Sequence, residues 1–436
     1  MAVPFTVLTD DNVRTILYNL SRDDVQALQS SLAEALHTYS TGAQDKGACA
    51  GNQPHRTSIT KDNATTLFMP GSTADTTGMK IVTLTTSNSG SRTSSISNNN
   101  NNSSSSASIS NNSVSNSSIN SSSTTLTEQS ITPRGLLTLL SPTGQPLGLL
   151  AAEELTAFRT ALAATMLLKR REHVHTIAVF GAGKQAYWHI RLSLLLRGAE
   201  IHRVNIINRT FARTEPMLRE FYDPGPDDWR PPSVTKFSVL SKEYGEYERL
   251  LKENVRKADI IFCCTPSTEP LFPAEHLTAT EGRKKGRYIS AIGSYKPHMC
   301  ELHPDIFRQA VQPPHHGHHF HKHASTSGVV IVDSLSACLK EAGEVIQAGL
   351  TPAQLVEIGE LVMLKRQAMK GNPSGDPTAV EGVSQKAKEK GGLEEWLSKG
   401  NVIYKSVGMG LMDLVVGGEL IKLAVERGVG TSVGGF

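Results

Sequence analysis

A glycine-rich turn carries the clearest chemical signal in the sequence. Residues 181–186 have the form G-x-G-x-x-A and follow the apolar run His175–Phe180. In such a turn the first glycine permits a tight bend, and the second lets the backbone approach a pyrophosphate. The helix that follows would offer free N–H groups to the phosphates. The predicted dinucleotide-binding residues of this turn are Gly181, Ala182, Gly183, Lys184, Gln185 and Ala186.

The end of the next apolar run predicts which dinucleotide is bound. The run Val204–Asn208 continues into Arg209 and Thr210, without an acidic residue. An Asp or Glu here would bind the ribose 2′-hydroxyl of NAD, whereas an Arg accommodates the 2′-phosphate of NADP. Because three donors and one positive charge suit a phosphate monoester, we predict that Asn208, Arg209 and Thr210 bind NADP(H), with NAD(H) as the alternative. The alternative interpretation is that Arg209 is an ordinary surface arginine exposed to solvent.

A third candidate position lies at the end of a further apolar run. Thr265 ends the run Asp259–Thr265 and precedes Pro266. Ligands of open α/β sheets bind at the carboxyl ends of strands, so the Thr265 hydroxyl could border a nicotinamide. A turn directed by the proline is an equally good interpretation.

The pattern of apolar and polar residues along the chain predicts the helices and strands that position these residues. After about residue 171, short apolar runs alternate with helical patterns, which is typical of a parallel sheet covered on both faces. Before it, a helical pattern over 21–36 is followed by short alternating segments and a hairpin ending at Leu150, which predict strands. A long helical pattern over Glu153–Arg171 separates the two halves. The residues between 87 and 130 are mostly Ser and Asn and predict a disordered insertion.

Composition excludes several classes of function. The 436 residues carry a net charge of +3, with basic and acidic residues interspersed, so nucleic acid is not expected as a partner. Five cysteines without metal-ligand spacing predict reduced thiols in a cytoplasmic protein. No apolar stretch reaches the roughly 18 to 20 residues of a membrane span. Six histidines between 315 and 323 lie in a Pro- and Gly-containing segment, which predicts a loop rather than a metal site.

An ordered series of motifs resembles the ornithine cyclodeaminase/mu-crystallin family, most closely its mu-crystallin and ketimine reductase members. The resemblance covers nearly all of the chain outside the insertions. It implies an α/β fold in which a Rossmann NAD(P)-binding domain is inserted in a discontinuous α+β domain that binds substrate and forms a homodimer. The motifs are Arg56 with Phe68–Pro70, Gly78–Thr83, Leu155–Ala161, the 181–186 turn, Asn208–Thr210, Thr268–Leu271, Ala291–Gly293, Val332–Ser334, Leu339–Glu344 and Lys405–Met409.

The resemblance also predicts domain limits. Residues 1–160 would form the substrate-binding and dimerisation domain. Residues 161–395 would form the Rossmann domain, with loop insertions at 222–233, 313–323 and 371–392. Residues 396–436 would form a C-terminal helical segment that packs back on the first domain.

Further site residues follow from the same resemblance. The positions matching Arg56 and Lys80 lie at the substrate carboxylate, with Lys80 also the catalytic candidate, and Arg159 is a third positive group near the substrate or the cofactor phosphates. An Arg fork with a Lys point charge is a good carboxylate clamp. Ile292 and Ser406 join Thr265 as expected cofactor contacts. Apart from the resemblance, either acid of Asp333 and Asp413 could aid proton delivery, but a structural cap or dipole role explains them at least as well, so these acids and Ser334 are not counted as catalytic.

Two departures from the family pattern bear on the reaction. Cyclodeaminases carry a catalytic Asp where this chain has Tyr295, and a Glu where it has Leu67. Ring-closing deamination needs acid and base groups, whereas imine reduction needs a hydride, a held carboxylate and one proton. We therefore expect NADPH-dependent reduction of a small cyclic ketimine carboxylate of the pyrroline or piperideine type. Ornithine cyclodeamination and a non-catalytic NADPH-dependent binding role remain the alternatives.

Overall fold

The computed structural model describes most of the chain outside the insertions. The described residues are 4–42, 53–85, 134–223, 229, 235–312, 329–362 and 392–435. The Ser/Asn tract, the histidine-rich loop, Cys49 and most of the insertions predicted at 222–233 and 371–392 lie outside these ranges. The strands within them form two sheets.

The first sheet is mainly antiparallel. Its first six strands are β1 (Phe5–Leu8), β2 (Thr57–Lys61), β3 (Ala64–Ser72), β4 (Thr77–Thr85), β5 (Arg134–Leu140) and β6 (Pro146–Ala151). They lie in the order β1-β6-β5-β4-β3-β2, in which only the β1–β6 pairing is parallel. Asp62 has a φ of 52°, which closes the tight turn between β2 and β3. The strands predicted in this half are therefore confirmed.

Three helices belong to the first half: two lie between β1 and β2, and the third follows β6. They are α1 (Asp10–Tyr18), α2 (Arg22–Thr41) and α3 (Ala152–Thr165). Thr9 and Ser21 each form a capping box, which satisfies N–H groups at the starts of α1 and α2. α3 is buried over nearly its whole length and ends in a 3-10 turn, Met166–Arg170, that leads into the second sheet.

The second sheet has eight strands in the described residues, and all of its pairings are parallel. They are β7 (Thr176–Phe180), β8 (Arg203–Asn208), β9 (Lys236–Ser241), β10 (Ile260–Cys263), β11 (Tyr288–Ala291), β12 (Val330–Val332), β13 (Leu355–Glu357) and β14 (Val402–Lys405). Their order is β13-β12-β14-β11-β10-β7-β8-β9. Because parallel strands need crossover connections, helices separate most of them along the chain. The predicted Rossmann-type α/β class is confirmed.

The helices of the second half lie mainly between these strands. They are α4 (Lys184–Arg197), α5 (Glu215–Tyr222), α6 (Tyr247–Lys257), α7 (Glu275–Thr278), α8 (Thr280–Arg283), α9 (Pro304–Val311), α10 (Leu335–Glu341), α11 (Gly343–Ala348) and α12 (Gly392–Lys399). None of the described helices combines the length and apolarity that crossing a bilayer requires.

The C-terminal segment returns to the first sheet, but later than predicted. The predicted boundary at 396 is wrong, because β14 is an inner strand of the second sheet, between β11 and β12. Its four residues are buried, as expected for a strand covered on both faces. After it, α13 (Gly410–Arg427) packs on α2, α3 and strands β3 to β5, and β15 (Thr431–Val433) pairs with β1. We propose that the first domain is discontinuous and resumes after Lys405.

Candidate active site

The glycine turn forms an open cradle at the carboxyl end of β7. Gly181 has a φ of 108°, and a Cβ there would lie 2.9 Å from the Cys264 carbonyl oxygen, so a larger residue would be both strained and obstructed. Gly183 is exposed, has open space where a Cβ would lie, and precedes α4 without a side-chain cap. The first N–H groups of α4 therefore suit an anionic ligand.

The other residues of the turn have different surroundings. The Lys184 ammonium lies 2.9 Å from Glu153 and 2.6 Å from Glu154, both in the first turn of α3. Ala186 is buried in the core. The Gln185 Oε1 is buried and has no hydrogen-bond partner among the described residues. Phosphate contact through the Lys184 ammonium would require these ion pairs to change, so its backbone N–H is the simpler contact.

The end of β8 presents two exposed residues. Arg209 and Thr210 are exposed, while the Asn208 amide donates to the Thr210 carbonyl oxygen at 2.9 Å. Sequence reasoning found no acid here, but Glu243, after β9, accepts from the Phe211 N–H at 3.3 Å. This carboxylate borders the predicted 2′-phosphate position, and only the fold brings it there.

Thr265 and Ile292 follow β10 and β11, and a buried carboxylate links their loops. Glu301 accepts from the Thr265 N–H at 2.7 Å, its hydroxyl at 3.2 Å, and the Gly293 N–H at 2.6 Å. Burial raises the pKa of Glu301 to about 7, although Lys405 and the two backbone donors oppose this shift. Glu301 thus fixes the backbone of both predicted cofactor-contact loops.

Glu301 belongs to a larger buried group, the Glu301 cluster, which consists of Glu301, Glu344, Lys405 and Ser294. Glu344 accepts from the Glu301 N–H at 2.7 Å and from the Ser294 hydroxyl. The Lys405 ammonium lies 3.2 Å from Glu344 and donates to the Ser294 carbonyl oxygen at 2.7 Å. The neighbouring Ser406, a predicted cofactor contact, donates its hydroxyl to Asp333 at 2.6 Å and is buried.

A second buried group, the Lys80 cluster, consists of Lys80, Arg159 and Asp413. The Lys80 ammonium and the Arg159 Nε lie 2.8 Å and 3.3 Å from the same Asp413 oxygen, Oδ1. Exposure of the three side chains is 2%, 6% and 0%. Burial lowers the pKa of Lys80 to about 8; Asp413 opposes this shift, and Arg159 adds to it. Two cations and one acid leave a surplus positive charge.

Arg56 lies near Lys80 in the sheet but has a different partner. Thr57 pairs with Phe68, and Met69 pairs with Lys80, so the backbones of Arg56 and Lys80 are about two strand spacings, or ~10 Å, apart. The Arg56 guanidinium binds Glu341 of α10 through two nitrogens, one of them at 3.1 Å, and also donates to the Tyr295 carbonyl oxygen at 3.4 Å.

Sequence reasoning therefore found the cations but missed most of their anionic partners. In the sequence, Asp413 has an equally good structural explanation, and no local pattern marks Glu301, Glu341 or Glu344 as site residues. Glu341 and Glu344 both lie in the motif Leu339–Glu344, yet nothing in the local sequence distinguishes a buried acid from a surface one. Burial and long-range pairing, visible only in the fold, are the missing signals.

Comparisons with known proteins are consistent with this arrangement. No protein-family model matches the chain. An uncharacterized protein of Saccharomyces cerevisiae is 24% identical over 446 residues, covering 97% of this chain and 98% of the relative. A Delta(1)-pyrroline-2-carboxylate reductase of Bacillus cereus is 26% identical over 298 residues, covering 67% of this chain and 71% of the relative. The ketimine reductase mu-crystallin of Mus musculus is 28% identical over 222 residues, covering 50% and 55%.

The chain is similar to pyrroline-2-carboxylate reductases and ketimine reductases of the ornithine cyclodeaminase/mu-crystallin family. Solved structures support the fold. The Delta(1)-pyrroline-2-carboxylate reductase of Thermococcus litoralis, solved with NADH and L-proline, matches with a TM-score of 0.64 at 17% identity, covering 98% of this chain and 100% of that one. An archaeal alanine dehydrogenase dimer with bound NAD matches with a TM-score of 0.63 at 18% identity, covering 99% of each chain.

The two departures from the cyclodeaminase pattern have distinct surroundings in the structure. Leu67 pairs with Val82 across β3 and β4 and is half-buried. Tyr295 is half-buried beside Arg56, and burial raises the pKa of its hydroxyl. Glu341 therefore lies near the position where cyclodeaminases have their Asp, although it is bound to Arg56.

Proposed function

We propose that this protein is an NADPH-dependent reductase of a small cyclic ketimine carboxylate, of the pyrroline- or piperideine-carboxylate type. The observation that carries the proposal is the surplus positive charge of the buried Lys80 cluster. A buried uncompensated charge is costly, and a substrate carboxylate would neutralise it. The pyrroline-2-carboxylate reductases among the relatives act on a substrate of this chemistry.

The residues fit a nicotinamide dinucleotide. The positive φ of Gly181 and the uncapped start of α4 suit a pyrophosphate, and the exposed Arg209 suits a 2′-phosphate. When bound there, the cofactor supplies the hydride. Glu301 fixes the loops of Thr265 and Gly293, at the carboxyl ends of β10 and β11, where ligands of open α/β sheets bind.

The substrate would be held by its carboxylate. Lys80 and Arg159 bind that group, and Arg56 adds a fork once Glu341 releases it. The imine nitrogen must gain one proton as the imine carbon gains the hydride. The lowered pKa of Lys80, about 8, lets its ammonium give up this proton and regain one from water. We also propose a homodimer, as in the archaeal alanine dehydrogenase, which light scattering would test.

Ornithine cyclodeamination is the second candidate, and one observation favours it. Glu341 supplies a carboxylate beside Tyr295, near the position where cyclodeaminases carry their catalytic Asp. Its bidentate pairing with Arg56 occupies both of its oxygens, which argues for reduction as the main activity.

Three measurements separate these functions. We expect oxidation of NADPH, faster than of NADH, with 1-pyrroline-2-carboxylate or 1-piperideine-2-carboxylate, and no ammonia or proline from ornithine. The Arg209→Asp variant should reverse the cofactor preference, with NADPH affinity falling about 10- to 100-fold, because one charge-assisted contact is worth ~1.5–3 kcal/mol. Tight NADPH binding without turnover of any ketimine would refute the proposal, and ammonia release from ornithine would replace it.

A further inference from the structure

Asp413 contacts the two cations of the Lys80 cluster through a single oxygen. Lys80 comes from β4, Arg159 from α3 and Asp413 from the first turn of α13, so one carboxylate joins three elements. Acids are favourable in the first turn of a helix, which gives a purely structural explanation for this residue. However, the described hydrogen bonds of Asp413 go to the two cations and not to N–H groups of α13.

The second oxygen of Asp413 strengthens this distinction. Oδ2 is buried and has no hydrogen-bond partner among the described residues. A helix-capping carboxylate would use its oxygens on backbone donors. Asp413 therefore contacts two cations through one oxygen and leaves its other oxygen without a hydrogen bond, which costs free energy. This arrangement favours an electrostatic role for the carboxylate over a helix-capping role.

Of the two cations, Lys80 is the one that can change its charge near neutral pH. A guanidinium group is not deprotonated in proteins, whereas an ammonium group can be. The Arg159 guanidinium is also confined, because it donates to the Met412 sulfur at 3.3 Å, and a Cβ on Gly408 would lie 2.9 Å from its Nη2. Burial and Arg159 both favour the neutral form of Lys80, and Asp413 is the acid that opposes them.

We propose that Asp413 is a positioning residue that keeps Lys80 charged and holds Lys80 and Arg159 together as one anion-binding unit. Without Asp413, two like charges would face each other in a buried site, and Lys80 would lose its proton. The unit would then bind a carboxylate weakly and could not donate a proton. The role in binding substrate rests on the proposed function, whereas the control of the Lys80 charge does not.

A ligand-free experiment tests the charge control. Unfolding of wild type and Asp413→Asn is compared between pH 6 and 10. In wild type Lys80 loses its proton near pH 8, and in the variant, which lacks Asp413, it does so at a lower pH. The stability gap between the two proteins should therefore narrow as the pH rises toward 8 and stay constant above it. Asp259→Asn is the matched control, since Asp259 is also a buried acid paired with a lysine, Lys285, but lies at the amino ends of the strands. Its gap should not narrow in this way.

A double variant makes this test specific. In a Lys80→Met background the Asp413→Asn substitution should have an effect that does not change with pH, because the titrating group is gone. Two results would overturn the proposal whatever the reaction is. One is a stability gap between wild type and Asp413→Asn that stays constant with pH. The other is a gap that narrows by the same amount when Asp413→Asn is made in the Lys80→Met background.

The pH profile of turnover tests the link to substrate. For the wild type, kcat/KM with the ketimine should fall as the pH rises past about 8, because Lys80 loses its proton. In Asp413→Asn this midpoint should move down by about one unit or more, which gives about a fivefold or larger loss of kcat/KM at pH 8. An unchanged midpoint would overturn the role in substrate binding. Absence of turnover in the wild type would instead refute the proposed function and leave the stability experiment to decide on Asp413.

Discussion

The two buried charge clusters have opposite compositions. The Lys80 cluster has two cations and one acid, whereas the Glu301 cluster has two acids, Glu301 and Glu344, and one cation, Lys405. When all of these groups are ionised, each cluster therefore carries one surplus charge in a part of the protein where charge is costly. The difference lies in how that surplus is stabilised.

The Glu301 cluster is stabilised by groups of the chain itself. Backbone N–H groups of Thr265, Gly293 and Glu301 donate to its carboxylates, as does the Ser294 hydroxyl. The Lys80 cluster has no second acid among its described contacts to neutralise its surplus. The surplus negative charge of the Glu301 cluster is stabilised by hydrogen bonds within the chain, as expected for a structural group. The surplus positive charge of the Lys80 cluster is not neutralised by the chain, as expected for a site that binds an anionic ligand.

One short segment connects the clusters. Lys405, at the end of β14, binds Glu344, and Asp413, at the start of α13, binds Lys80 and Arg159. Between them, the Gly408 N–H donates to Asp333 at 2.7 Å, and Gly408 lies against Arg159. The proposed cofactor and substrate regions are thus joined by nine residues of backbone.

The sharpest test of this comparison replaces the lysine of each cluster. Lys80→Met should lower kcat/KM on the order of 100-fold or more, since losing one partner of a buried charged contact costs ~2–5 kcal/mol. The fold should persist, because the remaining Arg159–Asp413 pair is neutral. Lys405→Met should instead lower the free energy of unfolding by ~3–5 kcal/mol, because it leaves buried acids uncompensated. Steady-state kinetics measures kcat/KM, and denaturant unfolding measures the stability of each variant. If Lys80→Met and Lys405→Met lost equal amounts of stability, the two clusters would not differ in role.

The second test concerns pH. Since the pKa of Glu301 is about 7 in the folded protein and 4.5 ordinarily, the folded state binds its proton more tightly. Its contribution to stability is therefore fully present below about pH 4.5 and is lost as the pH rises to 7, a change on the order of 3 kcal/mol. Glu301→Gln should lack this slope. Glu269→Gln, which removes an exposed acid nearby, controls for net charge; the same pH slope in Glu301→Gln and wild type would contradict the prediction.

The strands and the glycine turn could be predicted because their signals are local. The runs His175–Phe180 and Val204–Asn208 differ from the observed strands by only one residue at their starts. Apolar alternation and glycine spacing depend on neighbours in the chain, which the sequence displays directly. β14 was missed because its four residues precede a glycine-rich stretch and resemble the approach to a turn.

The clusters could not be predicted because their pairs are remote in sequence. Asp413 is 333 residues from Lys80 and 254 from Arg159, and Glu341 is 285 from Arg56. The resemblance to a family indicated the cations by their motifs. Whether an acid is buried against them depends on tertiary packing, which no local pattern encodes.

The third test perturbs the segment between the clusters. Gly408 has a φ of 85°, and an added Cβ would lie 2.9 Å from the Arg159 Nη2. Gly408→Ala should cost ~1–3 kcal/mol of stability through backbone strain. It should also raise KM for the ketimine several-fold by displacing Arg159. Gly428→Ala is a matched control at the other end of α13, with a φ of 65° and nothing within 4 Å of the Cβ. An equal KM in both variants would show that Arg159 does not depend on Gly408.

The smallest expected effect concerns Glu341, the acid that pairs with Arg56 across the two halves of the protein. The side chains are 19% and 29% exposed, so the pair is worth at most ~1 kcal/mol. If Glu341 competes with the substrate carboxylate, Glu341→Gln should lower KM up to about fivefold, and the gain should disappear when Arg56→Ala is added. A higher KM in Glu341→Gln would mean that Glu341 orients Arg56. In that case Arg56 would bind the substrate together with the Lys80 cluster, in an orientation that an acid of the chain itself fixes.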